Sequence, residues 1–595
     1  MAKKYIDVMD TTFRDGFQSV FGGRVLMEDF FPAVEAAKDA GITHFEFGGG
    51  ARFQSLFFYL QENAFEMMDK FREIVGPDAN LQTLARGINT VMLDTGSREL
   101  IDLHAKMFAK HGTTTIRNFD ALNDVQNLEY SAECIKKYGL NHEVVVTLMD
   151  LPPGCEGAHD VPFYEKTLRQ ILDSGIPHDS ICFKDASGTS SPQKVYETIQ
   201  MARKLVGEDT HIRLHTHETA GVSVACYLAA LEAGANGIDL AASPVSGGTS
   251  QPDILTMLHA VKGKNYDLGG LDIEKILKYQ ETLNDCLGEY FMPPEATQVS
   301  PLIPFSPMPG GALTANTQMM RDNGTLDKFP EVIKAMREVV EKGGYGTSVT
   351  PVSQFYWQQA YANVMFGPWK QIAPGYGKMV LGYFGKTPVE PDAEVVALAA
   401  EKLKMEPTTE NPLDIADRDE KKKISVWKQR LEMEGLETSE ENIFIAAACD
   451  EKGIAFLKGD SPLNVRKNDT TQGENTMANA TGNYTVVVDG QKFNVSIAEG
   501  DADIQVTPAT NNTSASSATP IVNGEATEVP ATVNGNVWKI LVNEGEKVEK
   551  DQKIMILEAM KMEIDINAPV AGTISKITVG ANESVDEGQT LAIIG

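Results

Sequence analysis

SICFKDASGTSSPQKVYETIQMARKLVGEDTHIRLHTH, residues 180–217, holds one complete repeat of the fold. Residues 180–183 form a short apolar, strand-like run. Residues 192–206 space their apolar side chains as a helix does. Residues 211–217 return to a strand-like pattern. A strand, a helix and a strand in that order imply two parallel strands joined by a crossover. Outward from this stretch, strand-like runs recur at 6–13, 44–47, 81–84, 114–119, 144–148 and 237–241, with helix-like stretches at 29–40, 65–74 and 100–111 among them. About eight βα units in ~250 residues is the count for a closed (β/α)₈ TIM barrel, an α/β fold. An open doubly wound sheet is the alternative. A barrel predicts functional residues at the C-terminal ends of its strands. Asp15, Arg86, Lys184, His215, His217 and Thr249 stand there.

The remainder reads differently. Residues 271–465 are mostly helical, with Pro and Gly interruptions at 304–311 and 368–377. The charged run 417–423 is expected to be a solvated face. Residues 484–501 are short, polar and β-like around an Asp489-Gly490 turn signal. Residues 507–528 are Thr, Ser, Asn and Ala with almost no large apolar side chain, the composition of a flexible linker. The expected division is a barrel at 1–300, a helical region at 301–465, a small β segment at 466–506, the linker at 507–528 and an all-β C-terminal domain at 529–595.

Composition narrows the function. The chain has 595 residues and a formal net charge of −30. An excess of acid on that scale argues against nucleic acid as a partner. The six cysteines form no CxxC pair and read as reduced thiols of a cytoplasmic protein. The N-terminus MAKKYIDVMDT has no apolar signal-peptide core, and no run of about 18 apolar residues predicts a membrane span.

The last ~70 residues repeat themselves. Residues 530–557 (PATVNGNVWKILVNEGEKVEKDQKIMIL) align with 569–594 (PVAGTISKITVGANESVDEGQTLAII). Two such halves imply a flattened β-sandwich with a pseudo-two-fold axis. The joining segment 558–565 is then an exposed hairpin with Lys561 near its tip. EAMKMEI at 558–564 resembles the attachment hairpin of biotinyl carrier domains, in which the lysine between two methionines carries covalent biotin. A linker of about 20 flexible residues reaches roughly 25 Å and gives the carried group a high local concentration.

The barrel motifs suggest a metal. His215 and His217 lie at i and i+2 on one strand and point to one face. Two imidazoles at a barrel mouth suit Zn²⁺ or a similar divalent ion, with Mn²⁺ and Co²⁺ as alternatives. Asp15, in DTTFRDGFQS, is expected to arrive from the opposite side of the barrel as a carboxylate ligand. Lys184 would be repelled by a metal unless carbamylation turned it into an anionic oxygen ligand.

This constellation resembles the carboxyltransferase domain of biotin enzymes that interconvert pyruvate and oxaloacetate. The resemblance covers essentially the whole chain through DTTFRDGFQS (10–19), LARG (84–87), FDALNDVQNL (119–128), ICFKDASG (181–188), HTHETAGVSVACYLAALEAGANGIDLAASPVSGGTSQP (215–252), PGGALTAN (309–316) and VTPVSQ (349–354). It implies metal ligation by Asp15, carbamylated Lys184, His215 and His217. It implies that Arg86 holds the pyruvate carboxylate, that Arg14 and Gln18 contact the keto acid, and that Thr249 shuttles a proton between pyruvate and biotin. Arg14, Lys184 and Thr249 are thus the candidate catalytic residues. The sequence departs from the family at Phe17, where His is usual, at Phe47, where Trp is usual, and at Ala186-Ser187, where Met-Ala is usual.

The resemblance is strongest to the biotin-bearing subunit of two-subunit pyruvate carboxylases, which implies a separate ATP-dependent biotin carboxylase as partner, a biotin protein ligase as modifying enzyme, and a homo-oligomer. The alternative is the α subunit of a Na⁺-pumping oxaloacetate decarboxylase, peripheral at the inner membrane on a membrane decarboxylase subunit. A metal-dependent aldolase or lyase of the same barrel type is more distant, because it has neither the biotin lysine nor the barrel lysine ligand.

Overall fold

A computed structural model describes residues 3–468, 482–488, 491–497, 527–532, 535–559, 562–580, 583–585 and 588–595. The chain divides into two compact units, one built on Met1–Arg466 and the other on most of the rest.

In the first unit the eight expected strands are β1 (Lys4–Asp10), β2 (His44–Gly49), β3 (Asn80–Ala85), β4 (Thr115–Asn118), β5 (Asn141–Thr147), β6 (Ser180–Asp185), β7 (His211–Thr216) and β8 (Gly237–Leu240). They pair in parallel in sequence order. β8 pairs with β1 over Asp7–Asp10, and the Asp10–Phe45 pair between β1 and β2 closes the barrel. An open sheet is thereby excluded. A ninth strand, β9 (Tyr266–Leu268), extends the N-terminal half of β1 and had no clear signal in the sequence.

Crossover helices surround the strands: α1 (Met27–Asp39), α2 (Ala64–Val75), α3 (Arg98–Lys110), α4 (Gln126–Lys137), α5 (Val161–Ser174), α6 (Pro192–Val206), α7 (Ser223–Ala233) and α8 (Ile254–Ala260). The alternation of each strand sorts its side chains. Ile116, Val144, Val146, Ile181, Phe183, Ile212, Leu214 and Ile238 face the helices and are fully buried. The intervening positions face the barrel axis, and many are charged: Glu46, Arg117, Glu143, Lys184, Arg213 and Asp239.

The helical region caps the mouth. Leu84, Phe119, Val145, Cys182 and Ala186 from the barrel's upper interior share one apolar core with Met308, Leu313, Met336, Tyr356 and Trp357. The helix Val352–Phe366 is buried on nearly every face. Residues 417–423 are solvated as expected, with 418–421 exposed, but the ends of the run are also tied down. Asp417 pairs with Arg98, Asp414 lies 2.9 Å from the same guanidinium, and Lys422 lies 3.1 Å from Asp94, so this run also clips the helical region to the start of α3. No helix among the described residues is long and apolar enough to cross a membrane.

Within the C-terminal residues, two four-stranded sheets form in the orders β12-β19-β17-β14 and β16-β15-β13-β18. These strands are β12 (Thr527–Pro530), β13 (Gly535–Ile540), β14 (Lys547–Val548), β15 (Lys553–Ala559), β16 (Met562–Asn567), β17 (Gly572–Ile577), β18 (Ser584–Val585) and β19 (Thr590–Ile594), following the hairpin β10 (Gly482–Val488) and β11 (Gln491–Ile497). Exchanging the first four strands for the last four turns one sheet order into the other, which is the pseudo-two-fold expected from the repeat. Val537, Ile554, Leu557, Ile566, Ile574 and Leu591 fill its core. Lys561 lies outside the described residues, as does most of the expected linker.

Candidate active site and metal centre

Lys184, His215 and His217 are delivered by the ends of β6 and β7. Asp15 comes from a π-helical turn, Thr12–Gly16, just beyond β1. Asp15 does not come from across the barrel. Ring closure makes β1 the neighbour of β8, only two strands from β7. The donor atoms of Asp15, His215 and His217 all lie within 4.8 Å of one another. Asp15 Oδ2 is 3.3 Å from Nε2 of each histidine, the two Nε2 atoms are 3.1 Å apart, and Lys184 Nζ is 2.7 Å from His215 Nε2. One carboxylate and two imidazoles converging at a buried point form a donor set that fits a divalent ion.

The surrounding charges are unequal. Burial alone would favour a neutral Asp15, but Arg14, His217 and Lys184 override it and hold the carboxyl well below the usual range. Burial is the main cause that lowers Lys184. Asp15 opposes the shift, and Arg14 and Arg117 add to it. Burial also lowers His215, assisted by Lys184. The buried amine is thereby biased toward its neutral, nucleophilic form.

These groups open into a cavity lined by Arg14, Asp15, Gln18, Arg86, Lys184 and His217 on its polar side. Leu84, Phe119, Ala186, Pro309, Gly311, Ala312, Val349 and Thr350 complete the wall. Arg14 is already paired, with Glu46 at 2.5 Å and Asp15 at 3.3 Å. Gln18 accepts the backbone N–H groups of Ala51 and Arg52 through Oε1, which orients its carboxamide. Arg86 is different. Its Nη1 donates to the carbonyls of Val91 and Met92 at 2.5 and 3.0 Å, its Nε has no partner, and no carboxylate among the described residues pairs with it. Burial first, and then Arg14, push it down to about 9.

Thr249 is not brought into this cavity. Its hydroxyl lies 2.9 Å from the Ser19 carbonyl and 3.1 Å from that of Ala296. Its backbone carbonyl instead accepts from His217 Nδ1 at 2.7 Å. Thr350, in the VTPVSQ stretch, is the threonine that lines the cavity. Nothing in the sequence separates these two threonines, because both follow a strand or loop whose path only the fold sets.

Sequence reasoning also missed the support. Asp239 Oδ2 is 2.8 Å from His215 Nδ1, and Gln251 Nε2 donates to Asp15 Oδ2 at 3.1 Å. The available signal was charge at inward positions of strand runs, Arg117 on β4, Glu143 on β5 and Asp239 on β8, where a packed barrel interior is ordinarily apolar. Of the departures from the family pattern, Phe17 is buried against Phe13 and Phe30, with ring centroids 5.8 and 5.2 Å away. Phe47 is in the same core, and Ala186 lines the cavity.

Comparison with known proteins agrees with this geometry. A pyruvate carboxylase subunit of Methanocaldococcus jannaschii is 30% identical over 560 residues, covering 94% of each chain. The chain belongs to this family of pyruvate carboxylase subunits. It is a biotin-dependent carboxyltransferase that carries its own carrier domain. The family described as HMGL-like matches residues 113–282, the conserved carboxylase domain matches 303–505, and the family of biotin-requiring enzymes matches 526–594. The methylmalonyl-CoA carboxyltransferase 5S subunit of Propionibacterium freudenreichii is 29% identical, covering 76% of this chain and 87% of its own. The carboxyl transferase domain of Rhizobium etli pyruvate carboxylase, solved with pyruvate, shares the fold with a TM-score of 0.69 at 24% identity, covering 77% of this chain and 78% of that one.

Glu143 offers a test of the buried charges. Burial opposes its ionisation, but Arg117 and Arg213 bring it from the ordinary 4.5 down to about 2. A depressed carboxylate contributes stability above its unfolded value, lost as pH falls through the folded one. Stability should therefore fall between pH 4.5 and about 2, and Glu143→Gln should be less stable at pH 7 with a flatter acid limb, as measured by urea unfolding across pH.

Proposed function

We propose that this chain moves a carboxyl group between biotin on Lys561 and pyruvate, forming or consuming oxaloacetate, as the carboxyltransferase and carrier subunit of a two-subunit pyruvate carboxylase. The observation that carries the substrate assignment is Arg86, a buried guanidinium without a carboxylate, bordering the same cavity as the converging donors Asp15 and His217. A 2-oxo acid supplies both missing partners, a carboxylate for Arg86 and a carbonyl oxygen for the donor cluster.

Asp15, His215, His217 and Lys184 as its carbamate would hold a divalent ion. Neutral Lys184 adds CO₂ through Nζ, losing a proton and becoming an anionic oxygen donor. When bound, the ion supplies Lewis acidity that favours loss of a proton from the substrate methyl. The other steps belong to side chains of this chain. Arg86 binds and orients the carboxylate. Arg14, kept in place by Glu46, adds positive charge where negative charge develops on the substrate. Gln18, its Oε1 held by the backbone N–H groups of Ala51 and Arg52, keeps its amide nitrogen as a donor for the keto acid. Apolar Leu84, Phe119 and Val349 exclude water from the reacting carbon. Thr350 is assigned the proton transfer between substrate and biotin in place of Thr249, because Thr350 lines the cavity whereas the Thr249 hydroxyl lies at the Ser19 and Ala296 carbonyls.

Two relatives named as pyruvate carboxylase subunits each match over 94% of the chain. That match supports a separate ATP-dependent biotin carboxylase as the partner that charges the biotin, and favours this reading over a decarboxylase. A biotin protein ligase is the modifying enzyme.

Three outcomes test the proposal. Arg86→Gln should raise KM for pyruvate at least tenfold with bound metal unchanged; an unaltered KM overturns the carboxylate role. Thr350→Ala should reduce carboxyl transfer about 10²-fold or more while Thr249→Ala retains most of it, the range for a lost proton-transfer group; the reverse order restores Thr249. Lys561→Arg should abolish streptavidin recognition of the chain from its own cells, and retained labelling places biotin elsewhere.

A further inference from the structure

Beneath the donor cluster the barrel axis is ionic. Buried ion pairs add little net stability compared with packed apolar side chains, so this arrangement needs another explanation. Asp239, fully buried on β8, stands at its centre. Its Oδ1 accepts Arg213 Nη1 at 2.9 Å. Its Oδ2 accepts Arg117 Nη1 at 2.6 Å and faces His215 Nδ1 at 2.8 Å. Arg117 is itself fixed by Glu143 at 2.5 Å.

A carboxylate clamped by two guanidinium groups can only accept hydrogen bonds. The nitrogen facing it on the imidazole is then a donor, Nδ1–H, at 2.8 Å; Arg117 Nη1 also stands 3.3 Å from that nitrogen, but its closer contact is with Asp239 Oδ2 at 2.6 Å. On the other side of the ring Nε2 faces the donor cluster, with Lys184 Nζ at 2.7 Å, His217 Nε2 at 3.1 Å and Asp15 Oδ2 at 3.3 Å. We infer that Asp239, clamped by Arg117 and Arg213, is a positioning residue that fixes the Nδ1–H tautomer of His215 and so aims the Nε2 lone pair into the donor cluster. This rests on reading that cluster as a metal centre. His217 has a backbone partner instead, the Thr249 carbonyl 2.7 Å from its Nδ1, with Gln251 Nε2 3.1 Å from its Nε2.

In Asp239→Asn the amide can present either its oxygen or its NH₂ to Nδ1, so the tautomer is no longer dictated. The test uses the full chain stripped of metal and labelled with ¹⁵N-histidine, with the His215 signals identified by their loss in His215→Gln. The wild type should show Nδ1–H at His215, and Asp239→Asn should populate Nε2–H. Co²⁺ affinity, measured by chelator competition, should fall about 10–100-fold in Asp239→Asn, the usual range for an outer partner of a ligating histidine. An Nε2–H tautomer in the wild type overturns the inference, with or without a folded variant. Unchanged tautomer and Co²⁺ affinity in folded Asp239→Asn overturn it as well. A wild-type chain that binds no Co²⁺ overturns the metal reading instead, and the ¹⁵N result then still decides the role of Asp239.

Discussion

Asp239, held between Arg117 and Arg213, is the constraint on which the site depends. Two guanidinium groups outweigh burial and keep its carboxyl well below the usual range. Through that fixed charge the floor of the barrel is connected to its mouth. Arg213 links it downward to Asp7 and His44, and His215 links it upward to Lys184 and Asp15. An apolar interior would pack well but would leave the imidazole free to choose its tautomer and rotamer. The ionic interior sacrifices some stability for one arrangement of donors.

The helical region completes what the barrel begins. The β strands supply the donors, but Pro309, Gly311, Ala312, Val349 and Thr350 from beyond residue 300 close the cavity above them. Gly310 shows how close that approach is. A side-chain carbon there would lie 1.7 Å from the Thr249 carbonyl oxygen, the same oxygen that accepts from His217. Only glycine lets the capping helix Gly310–Asp322 start against this loop. Cap and donor cluster are thus one packed assembly, with a shared apolar core and a shared carbonyl.

The division between charged and apolar groups also suits the small keto acid proposed as substrate. Arg14 is neutralised by Glu46 and Asp15, so its contribution is local polarisation. Arg86, in contrast, is turned toward the cavity by two backbone carbonyls and keeps its charge uncompensated. One arginine is tuned by its neighbours, and the other is available for an anion. Identical residue types take different roles because the fold assigns them different partners.

The alternating strand and helix patterns, the histidine pair two residues apart and the C-terminal repeat were all legible in the sequence. Each rests on local periodicity: side chains two apart on a strand share a face, and a duplicated β pattern gives matching halves. The motif resemblance singled out Asp15, Lys184 and Arg86, which stand at or just beyond strand ends and line one cavity. Non-local facts were not legible. A closed ring already puts β1 beside β8, but that the turn after β1 brings Asp15 to His215 follows from how that turn packs. That Thr249 turns its hydroxyl to Ser19 while Thr350 borders the cavity follows from how distant loops pack. That Asp239 supports His215 follows from strand register. Periodicity fixes which face a residue occupies, but its partner across a barrel is decided only when the chain closes.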